Sequence, residues 1–158
     1  MIISTGHNNQ RRDTLKRIDV ASALIHDENE NILLVKNVKG DSFYWSPPGG
    51  AVEKDETLEE AVIREVKEET GFESKVTGIH SVREVIFSEK GHHAFIITFF
   101  VQITGGSIDI MDPDQEVTDV RWVDHQTAKK LMPSLVEMLR LDADMEKTPA
   151  FYEFEGVR

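Results

Sequence analysis

The sequence contains no cysteine, and this absence excludes several kinds of chemistry. Without thiols the chain forms no disulfides, offers no thiolate nucleophile and builds no cysteine-based zinc or iron–sulfur site. Long apolar runs are missing as well, and no segment approaches the roughly 20 apolar residues of a membrane-spanning helix. The opening "MIISTGHNNQRRDTLKR" lacks the apolar centre of a signal peptide. Together these absences predict a cytoplasmic protein that makes no contact with a membrane.

Positive charge is scarce, because 18 lysines and arginines face 29 acidic residues and leave a net charge of −11. Proteins that bind nucleic-acid polymers use basic patches to neutralise phosphates, so we expect no polymeric nucleic-acid partner. A small phosphate-bearing ligand is still compatible with this charge, since divalent cations can lie between carboxylates and phosphates.

The length of 158 residues, with 39% hydrophobic content, fits a single domain that buries one core. We predict a domain core over about 17–140, a polar N-terminal segment over 1–16 and an aromatic, acidic tail over 145–158. The order of elements is strands, a helix, strands and helices, which predicts an α/β sandwich around a mixed, partly antiparallel sheet. The prolines and glycines at 47–50 predict a loop before the first helix. The predicted strands cover residues 18–27, 31–38, 75–87, 92–104 and 116–124, and the predicted helices cover residues 57–70, 125–131 and 133–144.

Three of these elements carry further local signals. Thr57 with Glu60 fits a capping box at the start of the first helix, and Gly71 is a natural stop at its end. The strand over 92–104 is apolar on both faces, which predicts a central place in the sheet.

The most unusual stretch runs from Gly50 to Phe72 and holds eight acidic and three basic residues. A solvated, charged helix face would explain most of them. Helical residues are separated by about 100° around the axis, and on this wheel Glu65 and Glu69 fall inside the apolar arc. The acids and the lysine that spacing places on the outer face are Glu56, Glu59, Glu60 and Lys67.

Two inward carboxylates one helical turn apart repel each other and lose their hydration. Bound divalent cations remove both costs, because Mg²⁺ takes oxygen ligands from carboxylates, carbonyls, water and phosphates. The alternative is that each inward glutamate pairs with Arg64 or Arg83. Spacing alone therefore favours a metal site at Glu65 and Glu69 and leaves ion pairing as the competing interpretation.

The same stretch resembles the Nudix box, which reads Gly, five residues, Glu, seven residues, Arg-Glu, an apolar residue, any residue, Glu-Glu, any residue, Gly and an apolar residue. Every required position is filled, by Gly50, Glu56, Arg64, Glu65, Val66, Glu68, Glu69, Gly71 and Phe72. The strands and loop around the box also resemble a Nudix domain. The resemblance implies a Nudix-type α/β/α sandwich.

This resemblance implies an enzyme that hydrolyses the pyrophosphate bond of a nucleoside diphosphate linked to a group X, with Mg²⁺ or Mn²⁺ as cofactor. By position, the implied metal ligands are Glu65, Glu68 and Glu69, with the backbone carbonyl of Gly49 as a further ligand. Arg64 is implied to orient a box glutamate through charge-assisted hydrogen bonds, with Glu56 as its expected partner.

The base that activates the attacking water has two candidates. Glu65 is one, and Glu116 in "DPDQEV" is the other, because many family members supply an acid from a loop after the central strands. A plain surface acid explains Glu116 equally well, and Asp112 and Asp114 are weaker candidates of the same kind. The predicted catalytic set consists of Arg64, Glu65, Glu68 and Glu116.

Residues outside the box are candidates for substrate binding. Arg17, Lys36 and Arg83 could contact phosphates, and Trp45 could stack on a nucleobase together with its aromatic neighbours. Surface charge and core packing are the ordinary alternatives for these residue types. In the tail, Phe151, Tyr152 and Phe154 could cover a pocket or the partner subunit of a homodimer, and folding back onto the chain's own core is the simpler expectation.

The predicted substrate is a small nucleotide. A proline shortly after the box often marks ADP-ribose hydrolases, and here none lies between Pro48 and Pro113. A tyrosine in that region often marks enzymes for dinucleoside polyphosphates, yet the two tyrosines are Tyr44 and Tyr152. A nucleoside triphosphate is therefore the default expectation. The alternative is a non-catalytic Nudix-fold module that binds a nucleotide or metabolite, although such modules often have an eroded box.

Overall fold

The computed structural model describes residues 15–142 and 147–158. The parts of the predicted N-terminal segment and tail that fall on residues 1–14 and 143–146 lie outside the described residues. Within the described ranges the chain forms eight strands and three helices. In chain order they are β1 (Lys16–Leu24), β2 (Ile32–Lys39), β3 (Ser42–Ser46), β4 (Gly49–Ala51), α1 (Leu58–Thr70), β5 (Phe72–Phe87), β6 (His92–Gly106), β7 (Val117–Val123), α2 (His125–Leu131), α3 (Pro133–Met138) and β8 (Phe151–Val157).

The strands form two sheets, with orders β4-β1-β6-β5-β8 and β3-β2-β7. In the five-stranded sheet, β1 runs parallel to β6 and β5 runs parallel to β8, while the other two pairings are antiparallel. The central position belongs to β6, as its apolar residues on both faces predicted. The α/β class and the mixed sheet are confirmed, but the strands divide between two sheets rather than joining one.

Two buried apolar clusters make up the core. The first joins Ala61, Val62 and Val66 of α1 to buried residues of both sheets. The second joins α2 and α3 to strand side chains on the opposite face from α1, among them Leu24 and Leu34. Helices therefore cover opposite sides of the strands, which is the α/β/α layering that the resemblance implied. No helix within 15–142 and 147–158 is long and apolar enough to cross a membrane.

Local sequence fixes both ends of α1. The Thr57 hydroxyl accepts from the backbone N–H of Glu60 at 3.1 Å, and the Glu60 carboxylate accepts from the N–H of Thr57 at 2.8 Å. This is the predicted capping box. At the other end Gly71 adopts a φ of 88° and donates its N–H to the carbonyl of Lys67, a conformation that favours glycine. Both predicted boundaries of the helix are confirmed.

Two predicted elements differ from the structure. The predicted loop at 47–50 contains β4, which pairs with β1 so that Gly49 lies opposite Ser22. The helix predicted over 133–144 ends at Met138, because Arg140 turns to a φ of 53° and breaks the helical path. Leu141, beyond that turn, is nevertheless buried. Apolar spacing therefore identified a packed segment but not its backbone conformation.

The C-terminal residues add a strand to the sheet. In β8, Phe151 lies opposite Ser81 and Phe154 lies opposite Glu84, so the strand continues the five-stranded sheet beyond β5. One side of β8 carries Glu155 toward the core, where Arg83 pairs with it at 2.6 Å. The expectation that the tail folds back onto its own chain is confirmed for the described residues.

Candidate metal and active site

The glycine turn, which consists of Gly49 and Gly50 at the start of β4, brings its backbone against the inward face of α1. The N–H of Gly49 donates to a carboxylate oxygen of Glu69 at 3.0 Å. A Cβ on Gly49 would lie 2.5 Å from the carbonyl oxygen of Ala21, and a Cβ on Gly50 would lie 2.6 Å from the Cδ of Glu65. At Gly49 a side chain would collide with the backbone of β1, so that position requires glycine, whereas a Cβ on Gly50 would displace the Glu65 carboxylate.

Glu69 is the most buried acid of the helix, with 6% of its surface exposed. Burial, together with the carboxylates of Glu65, Asp112 and Glu68, raises its pKa to about 8, against the lowering effect of the Gly49 N–H. Within the described ranges no cationic side chain pairs with it. Glu69 therefore gains stabilisation from a positive charge placed next to it.

Arg64 lies beside the other two box glutamates. Its Nη1 is 2.7 Å from Glu65 and 3.2 Å from Glu68. Burial raises the pKa of Glu65, and the hydrogen bond from Arg64 opposes that rise. For Glu65 the predicted ion-pair alternative is therefore realised with Arg64, whereas Arg83 takes no part in it.

Arg64 also contacts Glu56 through a two-point fork. The Nε and Nη2 atoms of Arg64 lie 2.7 and 3.0 Å from the two carboxylate oxygens of Glu56. Glu56 was assigned by the helical wheel to the outer, solvated set, but it precedes α1 and only 14% of its side chain is exposed. The wheel does not apply before the helix begins. The Arg64–Glu56 contact implied by the box is present.

The carboxylates of Glu65, Glu68 and Glu69 are the candidate ligands for a hard divalent cation. Among residues 15–142 and 147–158, no three acidic or histidine side chains already converge as a closed metal cage, because Arg64 lies between Glu65 and Glu68. The available donors are all oxygen atoms, and Glu69 is buried among like charges. Oxygen donors of this kind suit Mg²⁺ and Mn²⁺. The residues fit such an ion, because Arg64 contacts one oxygen of Glu65 and one oxygen of Glu68 and leaves the second oxygen of each carboxylate for a cation.

The loop between β6 and β7 adds a further acid to this region. Its backbone is tied to the end of α1, since the Met111 N–H donates to the Glu68 carbonyl at 2.7 Å. Asp112 raises the pKa of both Glu65 and Glu69, while its own carboxylate accepts the N–H groups of Glu116 and Val117. Among the acids of this loop, Asp112 is the one whose charge raises the pKa of box glutamates.

Glu116, the predicted loop acid, lies differently. Nearly half of its side chain is exposed, and it pairs with Lys39 at 3.8 Å. The sequence pattern favoured Glu116 over Asp112, whereas in the structure Asp112 is the loop acid whose charge raises the pKa of Glu65 and Glu69. The signal that could have found Asp112 is its place at the start of "DPDQ", since an aspartate that opens a turn accepts N–H groups from the residues that follow.

Two of the residues predicted to contact the substrate are buried in the protein. Trp45 is 6% exposed and packs in the second apolar cluster. Arg83 is 5% exposed and pairs with Glu155 beside the sulfur of Met138, on the sheet face opposite α1. Neither side chain is open to a ligand near the box, so the predicted substrate contacts for Trp45 and Arg83 are withdrawn.

The other two predicted contacts are accessible. Arg17 lies on the α1 side of β1, with its guanidinium 4.5 Å from the ring centroid of Phe95. Lys36 lies 4.3 Å from the ring centroid of Phe43, which is 60% exposed. Of the two, Arg17 shares a sheet face with the box helix, because the same alternation along β1 carries Ala21 into the cluster that α1 covers.

The family model of the NUDIX domain matches residues 16–141, a range that includes α1, the glycine turn and the Asp112 loop. The chain belongs to the Nudix family. Among solved structures, a Nudix hydrolase from Nitrosomonas europaea superposes with a TM-score of 0.71 at 22% identity and covers 80% of this chain and 88% of that chain. At this identity the likeness shows the fold of this Nudix protein and nothing finer.

Three curated relatives of this Nudix protein are more similar in sequence. ADP-ribose pyrophosphatase from Methanocaldococcus jannaschii is 37% identical over 94 residues, which are 58% of this chain and 55% of that protein. A protein provisionally named 8-oxo-dGTP diphosphatase from Bacillus subtilis is 35% identical over 104 residues, 65% of this chain and 64% of that protein. One provisionally named Nudix hydrolase 1 from Caenorhabditis elegans is 37% identical over 107 residues, 65% of this chain and 28% of that protein. The chain therefore spans less than two thirds of each relative's length.

Proposed function

We propose that this Nudix protein is a divalent-metal-dependent pyrophosphohydrolase that cleaves a nucleoside diphosphate linked to a group X. The observation that carries the proposal is the state of Glu69. It is buried beside Gly49, and the neighbouring acids Glu65, Glu68 and Asp112 raise its pKa in addition to burial. Such a concentration of negative charge is costly unless a cation offsets it, and a complete box surrounds it.

In this proposal Glu65, Glu68 and Glu69 hold the metal ion, and the carbonyl of Gly49 adds a further oxygen. When bound, Mg²⁺ or Mn²⁺ neutralises phosphoryl oxygens and makes a water molecule more acidic. Arg64 orients Glu65 and Glu68, and its fork to Glu56 fixes its own direction. The remaining chemistry is the alignment of a water molecule for in-line attack on phosphorus and the removal of its proton.

We assign the base to Glu65 rather than to Glu116. Burial raises the pKa of Glu65, which makes its carboxylate a better proton acceptor, and the hydrogen bond from Arg64 fixes its position. Glu116 is half exposed and paired with Lys39. Asp112 holds the loop through backbone N–H groups and adds negative charge beside the metal ligands.

The proposed substrate class is a small nucleotide. The relatives from Methanocaldococcus jannaschii and Bacillus subtilis are named for ADP-ribose and for 8-oxo-dGTP, which are both pyrophosphate-containing nucleotides. The sequence lacks the proline that often marks ADP-ribose hydrolases, so we favour a nucleoside triphosphate, including oxidised forms.

A hydrolysis screen that resolves the products tests this function. The panel contains nucleoside triphosphates, 8-oxo-dGTP, ADP-ribose, nucleotide sugars and dinucleoside polyphosphates, each with Mg²⁺, Mn²⁺ or a chelator. We expect metal-dependent release of a nucleoside monophosphate, together with pyrophosphate from a triphosphate or a phosphorylated X from the other substrates. Tight nucleotide binding without any product under either metal would instead support the alternative of a non-catalytic binding module.

Site variants make the screen specific. Glu69→Gln should leave the fold intact and reduce turnover by at least 100-fold, and the rise in melting temperature on adding Mn²⁺ should disappear because binding to the folded state is lost. Glu116→Gln is the matched control, a change of the same size at an exposed acid. Full turnover in Glu69→Gln would contradict the assigned site, and a large loss in Glu116→Gln alone would move the base to the loop.

A further inference from the structure

The outer edge of β8 closes the five-stranded sheet on one side. β8 is the last strand in the order β4-β1-β6-β5-β8, and among the described residues it pairs with β5 alone. A strand at the edge of a sheet presents backbone N–H and C=O groups on its outer side, and these groups can pair with a strand of another chain. β8 contains seven residues, Phe151–Val157, which is an ordinary length for a strand that forms a regular ladder.

Side chains leave this edge unprotected. Natural edge strands often carry lysine or proline, which discourage pairing with another chain. β8 reads FYEFEGV and contains neither residue type. Its apolar side chains are open instead, because Tyr152, Phe154 and Val157 are 60%, 48% and 62% exposed. An exposed apolar strand at the edge of a sheet indicates a surface that pairs with another strand.

The other edge strands of the two sheets are less suited to such pairing. β4 has three residues, and β3 has five and is followed by Pro47 and Pro48, which have no backbone N–H. β3 nevertheless carries an exposed ring at Phe43, which makes it a useful control. β7 carries the charged pair of Asp119 and Arg121. Among the described strands, β8 therefore combines length, apolar side chains and freedom from proline.

Charge does not keep a second copy away from β8, although the chain has a net charge of −11. The strand has two acids, and both are paired with arginine. Glu155 lies 2.6 Å from Arg83 and 3.0 Å from Arg158. Glu153 lies 3.6 Å from Arg140. A large net charge keeps copies of a protein apart through repulsion, and at this edge the repulsion is small because the acids are neutralised locally.

A two-fold axis limits which residues of two β8 strands can face each other. In an antiparallel pair about an axis perpendicular to the sheet, opposite residues point to the same face, and one residue lies opposite its own copy. With Glu153 on the axis, Tyr152 lies opposite Phe154 of the second copy, and the reverse contact forms as well. Directly opposite side chains are close enough for rings to pack. No other register about such an axis sets both rings opposite rings.

The longest alternative register is less favourable. With Phe154 on the axis, Glu153 would lie opposite Glu155 of the second copy twice, and a single pair of rings would remain. Like charges directly opposite each other destabilise a strand pair. With Glu153 on the axis, the like-charged contact is between the two copies of Glu153, each beside its own Arg140. Ring packing and charge therefore favour the same register.

We propose that β8 pairs with β8 of a second copy of this chain, with Glu153 on the two-fold axis, so that two five-stranded sheets become one continuous sheet. β8 lies outside the residues 16–141 that match the family model, so the dimer is a property of this chain beyond the matched domain. A strand pair buries less area than a standard protein interface, and we expect a dissociation constant in the micromolar range.

Sedimentation velocity of the full chain over about 1–300 μM tests the association. We expect the weight-average mass to rise from the 18.0 kDa of one chain toward twice that value. Phe154→Lys sets a charge opposite Tyr152 of the second copy and should raise the dissociation constant at least about 10-fold, as loss of a central aromatic contact does. Phe43→Lys changes a similarly exposed ring on β3 and should leave the dissociation constant unchanged.

The register has a test of its own because the chain contains no cysteine. Glu153→Cys places a thiol opposite its own copy, at a separation that a disulfide can bridge. Oxidation by copper phenanthroline in air should therefore join two chains through this residue. Ser42→Cys, at an exposed position of β3, is the matched control and should give little cross-linked product. Phe154→Cys should cross-link more slowly than Glu153→Cys.

Each outcome supports or overturns the proposal. A chain that stays monomeric at every concentration would overturn it, and so would a dimer that a correctly folded Phe154→Lys leaves unchanged. Faster cross-linking through Phe154→Cys than through Glu153→Cys would overturn the register. If Phe154→Lys loosens β8 in thermal unfolding, the cross-linking result decides. Hydrolysis tests the proposed function separately, because one chain contains the complete box and none of these measurements requires turnover.

Discussion

Arg64 donates two parallel hydrogen bonds to Glu56, of 2.7 and 3.0 Å, and so joins the middle of α1 to the loop that precedes it. A third N–H of the same guanidinium contacts Glu65 at 2.7 Å. The planar guanidinium can satisfy several acceptors at once in fixed directions. The direction of the Glu65 side chain therefore depends, through Arg64, on Glu56. The helical pattern alone does not connect Glu56 to Glu65, because Glu56 precedes the helix.

This relationship predicts the effect of Arg64→Lys. A lysine keeps the charge but cannot make the two-point fork to Glu56, so Glu65 should lose its fixed orientation. We expect kcat to fall by about 10- to 100-fold, the usual cost of removing a residue that orients a metal ligand. Arg121→Lys is the matched control, because Arg121 is exposed, forms its ion pair with Asp119 and lies over the ring of Trp45. Equal kcat values in both variants would contradict an orienting role for Arg64.

A second prediction concerns the closeness of Gly50 to Glu65. In Gly50→Ala the new methyl group would displace the Glu65 carboxylate, and small displacements at a reacting centre can cost about 100-fold in rate. We expect a large loss of kcat with a small change in melting temperature. Gly78→Ala is the control, since a Cβ there would meet only Phe100 at 3.8 Å. If both substitutions leave turnover unchanged, the predicted clash does not matter for catalysis.

The buried pair of Arg83 and Glu155 allows a third prediction. Arg83→Met should lower the free energy of unfolding by about 1–3 kcal/mol, because the buried Glu155 carboxylate loses its 2.6 Å partner and retains Arg158 at 3.0 Å. Adding Glu155→Leu should recover most of that loss. Chemical denaturation measures both effects, and the double variant should retain turnover. Loss of turnover in a double variant of restored stability would reinstate Arg83 as a substrate contact.

Stability should also depend on pH through His80, which lies between the rings of Phe100 and Phe151. Burial, together with the charge of Arg83, lowers its pKa to about 4. Between the ordinary pKa of about 6.5 and 4 the unfolded chain binds more protons than the folded one, so stability decreases as pH falls through this window. The contribution is on the order of 3 kcal/mol by pH 4.

Denaturation of the wild type and of His80→Gln at pH 7 and pH 4 measures this contribution. The difference in unfolding free energy between the two pH values should be smaller in His80→Gln by that amount, and His92→Gln serves as the surface control. An acid sensitivity that is the same in all three proteins would show that His80 is not responsible.

The fold was predicted best where the information is local. The capping box at Thr57 and the stop at Gly71 depend on residues within one turn of the helix end, and both were correct. The inward direction of Glu65 and Glu69 follows from helical spacing, which holds for any regular helix. The parallel addition of β8 to β5 depends on pairing between residues about 70 positions apart, and no local pattern specifies that partner.

The sequence by itself determined that α1 forms, where it begins and ends, and that two of its carboxylates face the core. Each of these follows from short-range hydrogen bonding and the 3.6-residue period. Only the tertiary structure decided that the charge of Asp112 reaches Glu65 and Glu69, that Trp45 and Arg83 are buried, and that Tyr152 and Phe154 are exposed on β8. These properties depend on contacts between residues far apart in sequence, and burial and charge proximity arise only once the chain has packed.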